Sequence, residues 1–162
     1  MPTRILVPLD GSDLSSSVLE QLMPLAQDLS AEIILLHIVE STSSGIAEGI
    51  SGGVVLPGTN LMITVEKETE RSQEYLAAIA SRLRAAGLKT QELVRTGRPA
   101  RTIVECANDI DASLIAMTTH GRTGILRTVL GSVANDVLRT WTRPILLLRP
   151  KDPGQDRTKT DS

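Results

Sequence analysis

This chain of 162 residues has no phenylalanine, one tryptophan, one tyrosine and one cysteine. Without aromatics, a core must be assembled from Leu, Ile, Val, Ala and Met. The bases of a single-stranded nucleic acid would also find no stacking platform. The lone Cys106 excludes an intramolecular disulfide and fits a reducing compartment. An excess of positive charge is missing too: 17 Lys and Arg against 19 Asp and Glu leave a net charge of −2, so no basic field favours nucleic acid. No apolar run reaches the roughly 20 residues that a membrane span needs. The N-terminus reads straight into a strand, without the pattern of a signal peptide. These absences predict a cytoplasmic protein with neither a nucleic-acid nor a membrane partner. Two phosphate-binding signatures are absent as well: there is no GxxxxGK[ST], and no GxGxxG follows the first strand.

What is present is an alternation of apolar runs and helical patterns. Arg4 to Leu9, Glu32 to Val39, Thr90 to Arg95, Leu114 to Thr118 and Pro144 to Leu148 read as strands. The third is the least apolar and so belongs at an edge. Between them, Leu14, Val18, Leu19, Leu22, Leu25, Ala26 and Leu29 recur at helical spacing, with Pro24 predicted to kink that helix or mark a weak turn. Further helices are expected over Thr64 to Ala86, Gly97 to Asn108 (Pro99 in the first turn) and Val133 to Thr140. Five strands alternating with four helices predict an α/β fold: one domain over residues 1–150, a doubly wound five-stranded parallel sheet with helices on both faces. The Gly- and Ser-rich segment 41–62 reads as a long mobile loop on the ligand side, to close over a ligand, reach a partner or serve only as a linker. The polar residues 151–162 read as a disordered tail.

Ligands of such sheets lie at the carboxyl ends of strands, where strand order reverses. Asp10, His37 to Val39 and Thr118 to Gly121 stand at three of those ends, and they share one crevice if strands one and four are neighbours. Met117-Thr118-Thr119-His120-Gly121, then Gly131-Ser132 opening a helix, form a strand, a glycine loop and a helix mouth. Glycine lets the backbone approach an anion closely, and the free N–H groups of a helix N-terminus favour it. Asp10 is read either as a functional carboxylate or as a turn residue. His120 meets a phosphate or orders the loop, and Arg122 and Arg127 neutralise phosphates or are ordinary surface charges. Ser132 combines a capping role with phosphate binding. His37 and Cys106 read as interior residues.

These pieces carry a family resemblance. The chain resembles the universal stress protein family over residues 3–149, through ILVPLDGS, LLHIVE and LIAMTTHGRTGILRTVLGSVANDVLRTWTRPILLL. Nucleotide-binding members carry G-x2-G-x9-G-[ST]; here Gly121, Gly131 and Ser132 occupy the later positions, and Thr118 replaces the first glycine. The resemblance implies a Rossmann-like, adenine nucleotide alpha hydrolase-type sheet in the order 3-2-1-4-5 and a homodimer joined along the fifth strand, residues 144–148. It implies ATP as ligand, with Mg²⁺ or Mn²⁺ held mainly by the phosphates. Pro8, Leu9, Asp10 and the backbone of Ile38 would hold adenine and ribose, and Met117 would line the base pocket. Gly121, Gly131, Ser132 and Val133 would wrap the phosphates, Thr118 offering its hydroxyl in place of the glycine. No strong general base or metal cage stands out, so little or no hydrolysis is expected. The alternatives are a slow ATPase and a dimeric interaction protein with an empty pocket.

Overall fold

The central strands are apolar on both sides, and that dictates the layers. Ile5, Leu6 and Val7, and Ile33, Ile34, Leu35 and Leu36, are all buried, which requires cover above and below the sheet. The computed structural model describes residues 3–40, 59–119 and 130–149. His120, Gly121, Arg122, Arg127, the segment 41–58 and the tail 151–162 lie outside the described residues. In chain order the elements are β1 (Arg4–Leu9), α1 (Asp13–Asp28), β2 (Glu32–Val39), α2 (Thr59–Ala85), β3 (Lys89–Thr96), α3 (Pro99–Asp109), β4 (Leu114–Thr118), α4 (Ser132–Thr140) and β5 (Ile145–Leu148). The sheet is parallel throughout, in the order β3-β2-β1-β4-β5, so the expected doubly wound topology is present and β3 is an edge.

Strand alternation sorts the interior into two cores. Ile5, Val7, Leu9, Ile33 and Leu35 pack with Leu19, Leu22 and Ala26 of α1 and Leu76, Ile79, Ala80 and Leu83 of α2. Leu6, Ile34, Leu36, Ile115 and Met117 face the other way, onto Ile103, Cys106 and Ala107 of α3 and Ala134 and Val137 of α4. Each core receives one of the two aromatics. Tyr75 sits on the α2 side, edge-on to His37 at 5.9 Å. Trp141 closes the α4 side, where its indole N–H donates to the Pro144 carbonyl at 3.3 Å.

Pro24 lies inside a continuous α1, which runs to Asp28 as the apolar spacing predicted, so the proline marks no turn. Burial of Leu19, Leu22 and Ala26 against the sheet outweighs the roughly 3 kcal/mol of an interior proline. Helix α2 begins at Thr59 rather than Thr64, because no Gly or Pro stops it before Gly58. The last four residues of the predicted 41–62 loop are therefore helical. The fourth helix opens at Ser132 rather than Val133, with Gly131 as its N-cap.

The two sheet edges are finished differently. The Gly97 N–H donates to the Val39 carbonyl at 3.1 Å, so the odd-numbered residues of β3 turn their peptide groups toward β2, and Thr90, Glu92, Val94 and Thr96 turn theirs outward. Two of these carbonyls carry arginine caps: Arg84 donates to Thr90 O at 2.6 Å and Arg95 to Val94 O at 3.0 Å. Arg84 is itself held by Glu92 at 2.7 Å. At the opposite edge, Ile115 N–H donates to Pro144 O and Thr119 N–H to Leu148 O. Even-numbered positions of β5 thus face β4, and Ile145 and Leu147 present their N–H and C=O groups to the outside.

Candidate functional site

The crevice begins where β1 and β4 part. Their register runs through Ile5↔Leu114 and Leu6↔Ile115, whereas β1 stays paired with β2 as far as Leu9↔His37. Strand order reverses between β1 and β4, so the opening is the switch point of the sheet. A cavity of about 340 Å³ occupies it. The volume lies at the lower end of the usual range for small-molecule sites. Its floor is apolar, made by Leu36 and Met117 of the sheet and Ile103 and Ala134 of the covering helices. Pro8, Leu9 and Asp10 line one wall, and Ile38 and Glu40 another. Thr118, Thr119, Gly131, Ser132 and Val133 form the end beneath α4.

Asp10 is fixed by the turn that follows it. Its Oδ1 accepts from the Ser12 backbone N–H at 3.0 Å and from the Ser12 hydroxyl at 2.5 Å. Gly11 has φ +82°, a conformation in which a side chain would be strained. Asp10 therefore orders the entry to α1 and lines the cavity at once. Ile38 contributes through its backbone as well as its side chain. Because Val39 turns its carbonyl to β3, alternation turns the Ile38 peptide groups toward β1, just past the last paired residue of that strand.

The helix mouth differs in detail from the expected cradle. The Gly131 N–H is committed to the Thr119 carbonyl at 2.8 Å, and the Gly131 carbonyl accepts from Asn135 at 2.9 Å. Gly131 has φ −55° and ψ 149°, which any residue can adopt, so closeness of approach rather than backbone strain is the reason left for glycine. Ser132 is the first helical residue, and the N-cap position predicted for it falls to Gly131. The first-turn N–H groups of Ser132, Val133 and Ala134 have no acceptor within the helix. All three residues line the cavity.

His37 lies on the other side of the sheet. It is 8 % exposed, and its Nδ1–H donates to the Leu9 carbonyl at 2.8 Å. That bond fixes the tautomer and ties the end of β2 to the end of β1. Cys106 is a small core residue under α3. Burial pushes its thiol pKa up, and Arg95 offsets only part of the shift.

Of the residues singled out in the sequence, Pro8, Leu9, Asp10, Ile38, Met117, Thr118, Gly131, Ser132 and Val133 meet at this cavity. Thr119, within the expected Thr118 to Gly121 strand end, lines it too; Leu36, Glu40, Pro99, Ile103 and Ala134 also line it and were not anticipated. Leu36 and Glu40 flank Ile38 at two-residue spacing, so strand alternation alone carried their signal. Pro99 and Ile103 are one helical turn apart at the start of α3. Among the described residues, no group of three or more His, Cys, Asp or Glu side chains is placed to hold a metal ion, and no helix is long and apolar enough to cross a membrane.

A family model decides the kinship: the universal stress protein family matches residues 1–149. The chain belongs to the universal stress protein family. Universal stress protein MJ0531 of Methanocaldococcus jannaschii is 31% identical over 147 residues, covering 90% of this chain and 81% of the relative. The solved structure of MJ0577 superposes with a TM-score of 0.77 at 25% identity, over 94% of this chain and 99% of that one. The universal stress protein of Archaeoglobus fulgidus, solved in complex with dAMP, shares the fold with a TM-score of 0.58 at 21% identity, over 91% and 96% of the two chains. Switch-point cavity, strand order and family thus agree on one architecture.

Proposed function

We propose that this universal stress protein binds ATP at the switch-point cavity and acts as a nucleotide-responsive stress or signalling module with little or no hydrolysis. The observation that carries the reading is the first turn of α4 forming one end of an otherwise apolar cavity. Anions are favoured at the helix mouth and a planar base over the apolar floor. The adenine mononucleotide bound by the A. fulgidus relative supports the same ligand class here. Pro8, Leu9, Asp10 and Ile38 hold the nucleoside beside Met117. Ser132 and Val133 hold phosphate oxygens, Gly131 allows the approach, and Thr118 offers a hydroxyl. His120, Gly121 and Arg122 extend the phosphate site in the sequence.

The described donor set suits a divalent ion that rides on the phosphates better than one caged by protein. Asp10 and Glu40 are the carboxylates of the described lining, and Asp10 Oδ1 is already engaged by Ser12. Mg²⁺ or Mn²⁺ would neutralise phosphate charge there. Efficient hydrolysis also needs a base aimed at a water, and the buried His37 lies on the wrong face of the sheet for that task. The same protein is proposed to be a cytoplasmic homodimer, paired through the outward groups of β5.

Mass spectrometry of the gently desalted protein, followed by calorimetric titration, tests the reading. ATP is expected to co-purify or to bind with micromolar-range affinity. Absence of heat and of thermal shift with ATP, ADP, AMP and cyclic AMP would leave an interaction protein with an empty pocket. Steady phosphate release that survives repurification and is lost in Asp10→Ala would make it an ATPase.

A further inference from the structure

We propose that Glu40 reads the base, its carboxylate accepting a hydrogen bond from the exocyclic amine of adenine. The inference rests on the nucleotide reading above and adds to it the determinant of base choice.

The sheet acts as a ruler along the cavity. Neighbouring strands lie about 4.8 Å apart, and the order β2-β1-β4 sets the ends of β2 and β4 about 10 Å apart. With phosphates under the first turn of α4, beside the end of β4, the ribose falls over β1 and the base over β2. Asp10 follows the last residue of β1, and Glu40 follows the last residue of β2. The carboxylates therefore meet different parts of the ligand: Asp10 the sugar, Glu40 the base.

On β2, Leu36 and Ile38 share one face of the strand, and Glu40 continues that alternation from the floor to the mouth. The aliphatic pair takes the flat of the base, with Ile103 of α3 on the covering side. The Ile38 main chain meets the polar edge from the strand, and the exposed Glu40 meets it at the mouth. An ionised carboxylate only accepts hydrogen bonds. The cavity is thus polarised along its length: positive at the helix mouth and negative at the far end. No Lys or Arg of the described residues lines it. A ligand that is anionic at one end and hydrogen-donating at the other matches both ends.

The test pairs a deletion on the protein with a deletion on the ligand. The full chain, Glu40→Ala and Glu40→Met are titrated with ATP and with purine riboside triphosphate, which lacks the exocyclic amine. Removing a negative charge strengthens binding of either polyanion, so the ratio of the two affinities is the readout. The wild type is expected to prefer ATP by about five- to tenfold, the scale of one partly exposed charge-assisted hydrogen bond. Both variants should bring the ratio close to one. A ratio unchanged in both variants overturns the role of Glu40 while leaving ATP binding intact. A wild type that binds neither nucleotide overturns the underlying ATP reading instead. Glu40 is exposed and lies outside both cores, so neither substitution threatens the fold.

Discussion

Proline at Ser132 separates binding from folding. Ser132 is the first residue of α4, exposed, and preceded by Gly131 at φ −55° and ψ 149°. That backbone suits the residue before a proline, and the first helical position is where proline is favoured because its missing N–H has no partner in the helix. Ser132→Pro should therefore leave stability within about 1 kcal/mol of wild type. It nevertheless deletes one of the three N–H groups that the first turn of α4 leaves without an acceptor in the helix. A hydrogen bond to a charged group contributes about 1.5–3 kcal/mol, so ATP affinity should fall roughly 10- to 150-fold. Ser132→Ala is the control, because it removes the hydroxyl and keeps the N–H. Titration calorimetry with ATP and urea unfolding, run on both variants, give the two quantities separately. If Ser132→Pro folds normally and binds ATP within about threefold of Ser132→Ala, the phosphates do not sit at this helix mouth and the argument from its geometry fails.

Gly97 has φ +154°, and a Cβ there would lie 2.5 Å from Thr102 Oγ1. Gly97→Ala should cost about 2–3 kcal/mol in urea unfolding, and Thr102→Ala in the same chain should recover the part due to the clash; a cost under about 0.5 kcal/mol refutes this. Leu147→Pro removes an N–H that faces outward from β5, so if β5 pairs two molecules as proposed, light scattering should report a dimer for the wild type and a folded monomer for the variant. Leu146→Pro breaks the ladder to β4 instead and should lower stability more; a wild-type monomer at micromolar concentration rules out the β5 pairing. Burial raises the Cys106 thiol pKa, so the folded state holds its proton more tightly than the unfolded state. The stability this gives is complete below the unfolded thiol value of about 8.5 and is lost as pH rises from there through the folded value. Unfolding free energies above that pH should fall faster in wild type than in Cys106→Ala, and parallel curves would count against the buried thiol.

The strands were legible because each is a short run of Leu, Ile and Val with a turn signal beside it, and the two-faced burial of Ile33 to Leu36 was already implied by the absence of polar residues in that run. Helix ends were harder. The residues before Thr64 read as part of a Gly- and Ser-rich loop, but α2 begins at Thr59, directly after Gly58. The strand order came through the family resemblance, since no single residue encodes which strands are neighbours. At the site, Asp10, Ile38, Met117 and Gly131 to Val133 stood out because they sit in contiguous motifs at strand ends. Leu36, Glu40, Pro99 and Ile103 did not, because they reach the cavity through strand alternation and through the packing of α3. The bond from the Gly131 N–H to Thr119 was invisible for the same reason: it depends on where the chain returns after a long excursion.

The arginines at the β3 border have a consequence for growth. A sheet with two open borders can add copies at either end and has no natural limit. Here Arg84 and Arg95 already occupy the outward carbonyls of Thr90 and Val94, so a neighbouring strand would have to displace two guanidinium groups before it could dock. At the β5 border the Gln21 amide caps the Arg149 carbonyl, just beyond the outward peptides of Ile145 and Leu147. In the proposed dimer, main-chain pairing through β5 would use up that border of each molecule, and the partly capped β3 borders would remain outside. Such a pair would be a terminated assembly rather than the first step of a filament.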